Sequence, residues 1–211
     1  RLWISQNVDV EILRTPMVIV MVPIWIKNKI LKKIVVIGAS SSSKSINRKF
    51  AKYAANSLNF DCKIQELVLN DFEMPIYSED LERDFGVPEK AINFKRVISN
   101  SDGIIISFAE HNGSYTSAFK NIFDWISVIE QDVWSSKPLL LLSTSTGSNG
   151  GKIVLKHAYK RFSFNYKFSI PFFSLPDFYS NFTTKNGIIH PLLEKKFQVT
   201  LNKFEEILNG N

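Results

Sequence analysis

At 211 residues, 45% of them apolar and 13% aromatic, the chain is long enough for one sizeable core and too short for several large domains. The formal charge of +6 is spread along the sequence, and its densest basic patch, 27–33, lacks interleaved aromatics, which argues against a nucleic-acid partner. The single cysteine, Cys62, rules out an internal disulfide framework and fits a reducing, cytoplasmic setting, while His111, His157 and His190 are too scattered for a metal centre.

Residues 1–32 read as an appendage. The apolar run 17–26 is too short to span a bilayer and contains Pro23, so no membrane association is expected. Its lysines follow the run instead of preceding it, unlike a signal peptide. From Lys33 the pattern is regular. A strand over 33–38 leads into a helix over 45–58, and a second strand is expected over 63–69. A long acidic connection, 70–87, precedes a helix over 88–100 that begins with Pro88. A buried strand at 103–108, a polar loop at 110–115 and a helix over 116–130 follow, the helix carrying Phe119, Ile122, Phe123 and Ile126 on one stripe. A strand at 138–142, a Ser/Thr/Gly loop at 143–151, a helix over 152–162, a strand over 166–173 and a helix over 188–208 complete the chain. Cys62 reads as a buried strand residue.

Strands that alternate with helices, and that are apolar throughout, predict an α/β fold: a doubly wound five-stranded parallel sheet with helices on both faces. Ligands of such sheets bind beyond the carboxyl ends of the strands where the winding reverses, here between the first and third strands. The loops there are 38–47 and 109–115, with 143–151 as neighbour.

Loop 38–47 is the most informative of the three. A strand turning sharply into a helix leaves the first helical N–H groups unpaired, and with the helix dipole they form an anion site. Ser40, Ser41, Ser42, Ser43 and Ser45 add hydroxyl donors. A serine-rich loop is also an ordinary flexible turn with one serine as N-cap, but its place between buried strand and helix favours phosphate binding. Three phosphate ligands compete. Residues 38–45 match the triphosphate loop G-x-x-x-x-G-K-[ST] except at Ser43, yet the later strands end in Ser107 and Ser143 with no metal-binding Asp. A dinucleotide fold requires G-x-G-x-x-G, absent here. A mononucleotide held by hydroxyls and amides needs neither lysine nor metal, and the residues favour it.

Three segments resemble the NAD(P)H-dependent FMN reductase family. Ala39-Ser40-x-Ser42-x-x-Ser45-x-Asn47 is similar to its phosphate loop G-S-x-R-x-x-S-x-N. Glu110-His111-Asn112-Gly113-Ser114, with Lys120-Asn121 and Asp124-Trp125, resembles P-E-Y-N-G-S…L-K-N-x-x-D-W. Ser143-Thr144-Ser145-Thr146-Gly147 with Gly150-Gly151 resembles its third flavin loop. The likeness covers about 33–208 and implies a flavodoxin-like FMN-binding reductase domain over 33–211, usually a homodimer or homotetramer. It places Ser40, Ser42, Ser45, Ile46 and Asn47 at the FMN phosphate. Glu110, His111, Asn112 and Gly113 then run along the isoalloxazine edge, with Ser145, Thr146 and Gly147 on its pyrimidine side. Ser42 stands where many relatives have Arg, Ala109 where they have Pro and His111 where they have Tyr. The implied function passes hydride from NADPH or NADH to FMN and on to a small-molecule acceptor: a quinone, flavin, azo compound or metal oxyanion. The cofactor carries the chemistry, with His111 as a positioning residue in preference to a proton donor. Lys120 and Asp124 suit a structural ion pair or oligomer contact, Phe123 and Trp125 a core or interface. A flavin-binding carrier or sensor without turnover is the alternative.

Overall fold

The computed structural model describes residues 31–164 and 166–210. Strands β1 (Lys32–Ala39), β2 (Cys62–Leu67), β3 (Gly103–Phe108), β4 (Leu139–Thr144) and β5 (Phe172–Leu175) form one sheet in the order β2-β1-β3-β4-β5. All four pairings are parallel, with Ile34 opposite both Ile64 and Gly103, Ile104 opposite Leu139 and Leu141 opposite Phe172. The expected flavodoxin-like, doubly wound architecture is therefore present. Of the appendage expected over 1–32, residues 1–30 lie outside the described residues, and Lys32 already opens β1.

The side-chain period of a strand divides each apolar run between two cores. Val35, Ile37, Ile104, Ile106, Leu139 and Leu141 pack under α3 (Glu89–Ser99), α4 (Ser117–Ile129) and α5 (Lys152–Phe162). Ile34, Val36, Ile105, Leu140 and Leu142 pack under α1 (Ile46–Asn56) and α7 (Pro191–Leu208). Phe119, Ile122, Phe123 and Ile126 form the buried stripe of α4. Trp125 is in the core at 1% exposure, and Lys120 pairs with Asp124 at 2.6 Å. Among the described residues no helix is long and apolar enough to cross a membrane.

Four expectations are corrected. The second strand ends at Leu67, not 69, because Leu69–Phe72 turns into a 3-10 helix closed by Asp71 N–H to Val68 C=O. Connection 70–87 is not loop throughout: α2 (Glu79–Phe85) lies within it, capped by the Ser78 hydroxyl and carrying Glu79, Asp80 and Glu82 in its first turn. It buries no residue, so it has no apolar stripe to betray it. The last sheet strand is Phe172–Leu175, not 166–173; Pro171, lacking an N–H, stands at its entrance. Helix 188–208 begins at Pro191, its N1 residue. Before it come the short α6 (Phe178–Asn181) and a hairpin of β6 (Phe182–Thr183) and β7 (Gly187–Ile188). Cys62 is half-buried at the start of β2, where burial first and then Asp61 push its thiol pKa up.

Candidate functional site

The loop after β1 begins at Gly38, where a side chain would meet the Arg48 Cα at 2.5 Å, so only glycine lets α1 start this close to the strand end. Within the loop each relevant hydroxyl accepts from the loop's own backbone. Ser40 Oγ takes Ser42 N–H (3.2 Å), Ser42 Oγ takes Lys44 N–H (3.2 Å), and Ser45 Oγ caps α1 by taking Arg48 N–H (3.1 Å). A hydroxyl that accepts inward keeps its own hydrogen to donate. Ser45 is 6% exposed, while Ser41, Ser42, Ser43 and Lys44 are exposed. With Arg48 N–H capped, the Ile46 and Asn47 N–H groups remain at the open end of the helix.

The Asn47 side chain is engaged elsewhere. It is 2% exposed, donates to Thr144 C=O (3.0 Å) and accepts from Thr144 N–H (3.0 Å) and the Ser107 hydroxyl (2.7 Å). This clamp binds the start of α1 to the ends of β3 and β4. What Asn47 can offer a phosphate is its backbone N–H.

After β3 the chain makes a tight turn, with His111 and Ser114 exchanging two backbone bonds of 3.0 Å. Asn112 (φ 51°) and Gly113 (φ 74°) are both left-handed, the pattern of a type I′ turn. The Asn112 and Gly113 N–H groups are not used within such a turn. His111 and Asn112 are exposed, Gly113 half-buried. Glu110 faces away from the turn's tip: its carboxylate accepts from Ile153 and Val154 N–H, both at 3.0 Å, and so caps α5. Helix α5 needs this cap because its own N-cap residue is Gly151, without a side chain. Thr116 ties the far end of the segment to β1 by donating to Ala39 C=O (3.2 Å).

The third loop is anchored from both sides. Ser143 and Ser174 hydroxyls donate to Gly150 C=O at 2.7 and 2.9 Å. Ser145 and Gly147 carbonyls accept from Phe178 and Asp177 N–H, both at 3.0 Å, so the turn into α6 supports the loop. Ser145 is half-buried, and Thr146 and Gly147 are exposed. The three loops thus stand side by side, after β1, β3 and β4.

Two further groups were not singled out for this role from the sequence. Asn121 and Trp125 of the K-N-x-x-D-W segment hold the turn before α2. Asn121 donates to Met74 and Pro75 C=O (3.2 and 3.1 Å) and accepts Tyr77 N–H (2.8 Å), while Trp125 Nε1 donates to Pro75 C=O (2.7 Å). The Tyr77 ring meets Trp125 edge-on, and its hydroxyl donates to Glu82 (2.9 Å), which raises its pKa. The polar residues at helical spacing within that segment were the available signal.

Hydroxyl and N–H donors at the carboxyl ends of β1, β3 and β4 of a parallel α/β sheet are the arrangement that, in doubly wound folds, can receive an anionic nucleotide. The chain belongs to the NADPH-dependent FMN reductase family, which it matches over residues 32–177. It is 34% identical over 131 residues to a 2-hydroxy-1,4-benzoquinone reductase of Burkholderia sp., covering 60% of this chain and 67% of the relative. It is 31% identical over 119 residues to a quinone reductase of Pseudomonas putida, covering 56% and 62% respectively. In fold it resembles FerB, a flavoenzyme NAD(P)H:acceptor oxidoreductase of Paracoccus denitrificans, with a TM-score of 0.66 at 22% identity over 85% of this chain and 98% of that one. The chain is an oxidoreductase with FMN as cofactor and a reduced nicotinamide as donor. Its residues fit that cofactor: the phosphate end offers hydroxyl and amide donors, and 38–47 contains no carboxylate to repel a phosphate.

Proposed function

We propose that the protein transfers hydride from NADPH or NADH, through bound FMN, to a small acceptor, and that the acceptor class is a quinone. The observation that carries the reading is the juxtaposition of three donor-rich loops, fixed to one another by the Asn47 clamp and the Thr116 bond. FMN when bound supplies a ring that accepts and returns hydride. The chain's residues supply position and electrostatics. Hydroxyls of Ser40, Ser42 and Ser45 and the N–H groups of Ile46 and Asn47 receive the phosphate. The Asn112 and Gly113 N–H groups would hold the ring's edge and the 145–147 segment its pyrimidine side, where amides and hydroxyls would stabilise negative charge. His111, exposed beside them, positions the nicotinamide or acceptor. The quinone preference rests on the named relatives. The proposal extends to a cytoplasmic homodimer or homotetramer, supported by the family likeness and the single cysteine.

The test is a visible spectrum recorded anaerobically before and after NADPH, then NADH, and finally a benzoquinone. Flavin bands that bleach with a nicotinamide and return with the quinone are the expected result. Bands that persist with both donors would indicate a carrier without turnover. Protein that takes up no FMN would overturn the reading.

A further inference from the structure

The phosphate monoester of FMN carries about two negative charges near neutral pH. The hydroxyls and amides of loop 38–47 that receive it are neutral. Many relatives place an arginine at position 42, where this chain has Ser42. That residue is exposed, and its hydroxyl takes the Lys44 N–H at 3.2 Å. The fixed positive charge has therefore either been given up or has moved.

Four cations stand between Gly38 and Asn56, with no carboxylate among them: Lys44, Arg48, Lys49 and Lys52. Two are committed. Glu66, near the end of β2, takes Arg48 Nε on one oxygen at 3.1 Å and Lys52 Nζ on the other at 3.0 Å. Lys49 is exposed on the side of α1 opposite Asn47, Phe50, Ala51 and Ala54, and so opposite the sheet. Lys44 remains. It is exposed, and among the described residues its ammonium makes no hydrogen bond or ion pair.

The main chain of Lys44, by contrast, is fixed. Ser42 accepts twice, through its hydroxyl from the Lys44 N–H and through its carbonyl from the Ser45 N–H at 3.1 Å. Ser45 is the N-cap of α1, so Lys44 stands one residue before the helix, beside the Ser45 hydroxyl and the open amides of Ile46 and Asn47. A flexible four-carbon stem on an anchored backbone lets the ammonium reach for an anion while the loop keeps its shape.

The sequence points the same way. Gly38 to Ser45 keeps the spacing of the triphosphate loop G-x-x-x-x-G-K-[ST], and Lys44 holds the position of the lysine that in such loops reaches the phosphates. The triphosphate reading lapses for want of a metal-binding Asp, which leaves the lysine itself without a function.

We propose that Lys44 supplies the charge that position 42 no longer carries: its ammonium binds the FMN phosphate and makes the site select phosphorylated flavin over riboflavin. The proposal rests on the FMN reading of the three loops and names a specificity residue for it.

The experiment takes the full chain, dialysed free of flavin, and titrates it with FMN and separately with riboflavin, which lacks the phosphate, following the quenching of flavin fluorescence. Lys44→Gln should weaken FMN roughly tenfold, the loss of about one charge-assisted bond, and change riboflavin affinity by less than about twofold. Because Lys44 is exposed, the variant should keep the parent's urea midpoint. Added salt should weaken FMN more steeply in the parent than in Lys44→Gln. Ser42→Arg introduced into the Lys44→Gln variant should recover FMN affinity and leave riboflavin as it was. Three results would each overturn the proposal while the FMN reading stands: FMN bound equally by parent and Lys44→Gln, both flavins weakened alike, or a double variant that binds FMN no better than Lys44→Gln. A parent that takes up neither flavin would overturn the FMN reading, and the role of Lys44 with it.

Discussion

The loops after β1 and after β3 stand side by side and are stabilised in opposite ways. Loop 38–47 is held mainly by bonds between neighbours in sequence: Ser40 to Ser42, Ser42 to Lys44, Ser45 to Arg48. The turn at 110–114 has one local element, the His111–Ser114 pair, and otherwise depends on distant partners, Glu110 on α5 and Thr116 on β1. The first loop therefore carries its conformation in its own sequence, whereas the second acquires its position from the assembled fold. A loop of the first kind can lose a side chain and keep its shape. One of the second kind moves when its anchor is cut.

The largest effect should come from a long-range anchor inside the first loop, the Asn47 side chain. Asn47→Ala removes three buried bonds and leaves the Thr144 N–H and C=O and the Ser107 hydroxyl unpaired. Stability should fall by about 3 kcal/mol, measured as the shift in urea midpoint, with FMN uptake lost as well. Ser42→Ala, which removes only a local bond of an exposed residue, should change stability by less than about 0.5 kcal/mol while weakening FMN. Equal destabilisation by the two variants would erase the distinction between local and remote anchoring.

Glu110→Ala is the corresponding cut in the second loop. It leaves the Ile153 and Val154 N–H groups uncapped at the positive end of α5. The expected loss is about 1–2 kcal/mol, with faster hydrogen exchange at those two amides. Glu110→Gln keeps an acceptor oxygen and should recover part of the stability, since geometry is restored but charge is not. Exchange at Ile153 and Val154 unchanged in the Ala variant would show that the cap does not hold the helix.

The same contrast explains what the sequence made legible. The strand-to-helix junction at 38–46 announces itself through an apolar run, a glycine, serines and a helical stripe, all contiguous. The parallel sheet followed from apolar runs that carry both cores on alternate residues, as Val35 and Val36 do. The Asn112-Gly113 pair was also a readable signal for a type I′ turn. By contrast, the carboxylate of Glu110 finds α5 43 residues later, and Asn47 finds Thr144 97 residues later. No local pattern encodes such distances. Helix α2 stayed hidden for another reason: it buries nothing, so only Ser78 and the acids behind it marked its start. The strand expected over 166–173 begins only at Phe172: Pro171 accepts from Leu141 N–H of β4 at 3.1 Å through its carbonyl but has no N–H to give the ladder.

The smallest expected effect concerns the residue that closes the second loop. Tyr115 packs its ring against Phe108 and Phe119 at 5.7 and 5.3 Å, which draws the end of the turn into the core. Its hydroxyl is buried without a partner, and desolvation lifts its pKa to about 12, against a smaller opposing pull from Arg161. The unfolded chain ionises at the ordinary tyrosine value near 10. Below that pH both states hold the proton and the residue's contribution is fully present. Between pH 10 and about 12 only the unfolded state releases it, so stability declines as pH rises. Lysines and other tyrosines titrate in the same range, so the informative quantity is the difference between the parent and Tyr115→Phe, which keeps the ring and cannot ionise. The difference in urea midpoint should be constant below pH 10 and shift in favour of the Phe variant above it. Parallel curves through pH 11 would mean that the hydroxyl reaches solvent in the folded protein, and that the turn rests on Glu110 and Thr116 without this buried anchor.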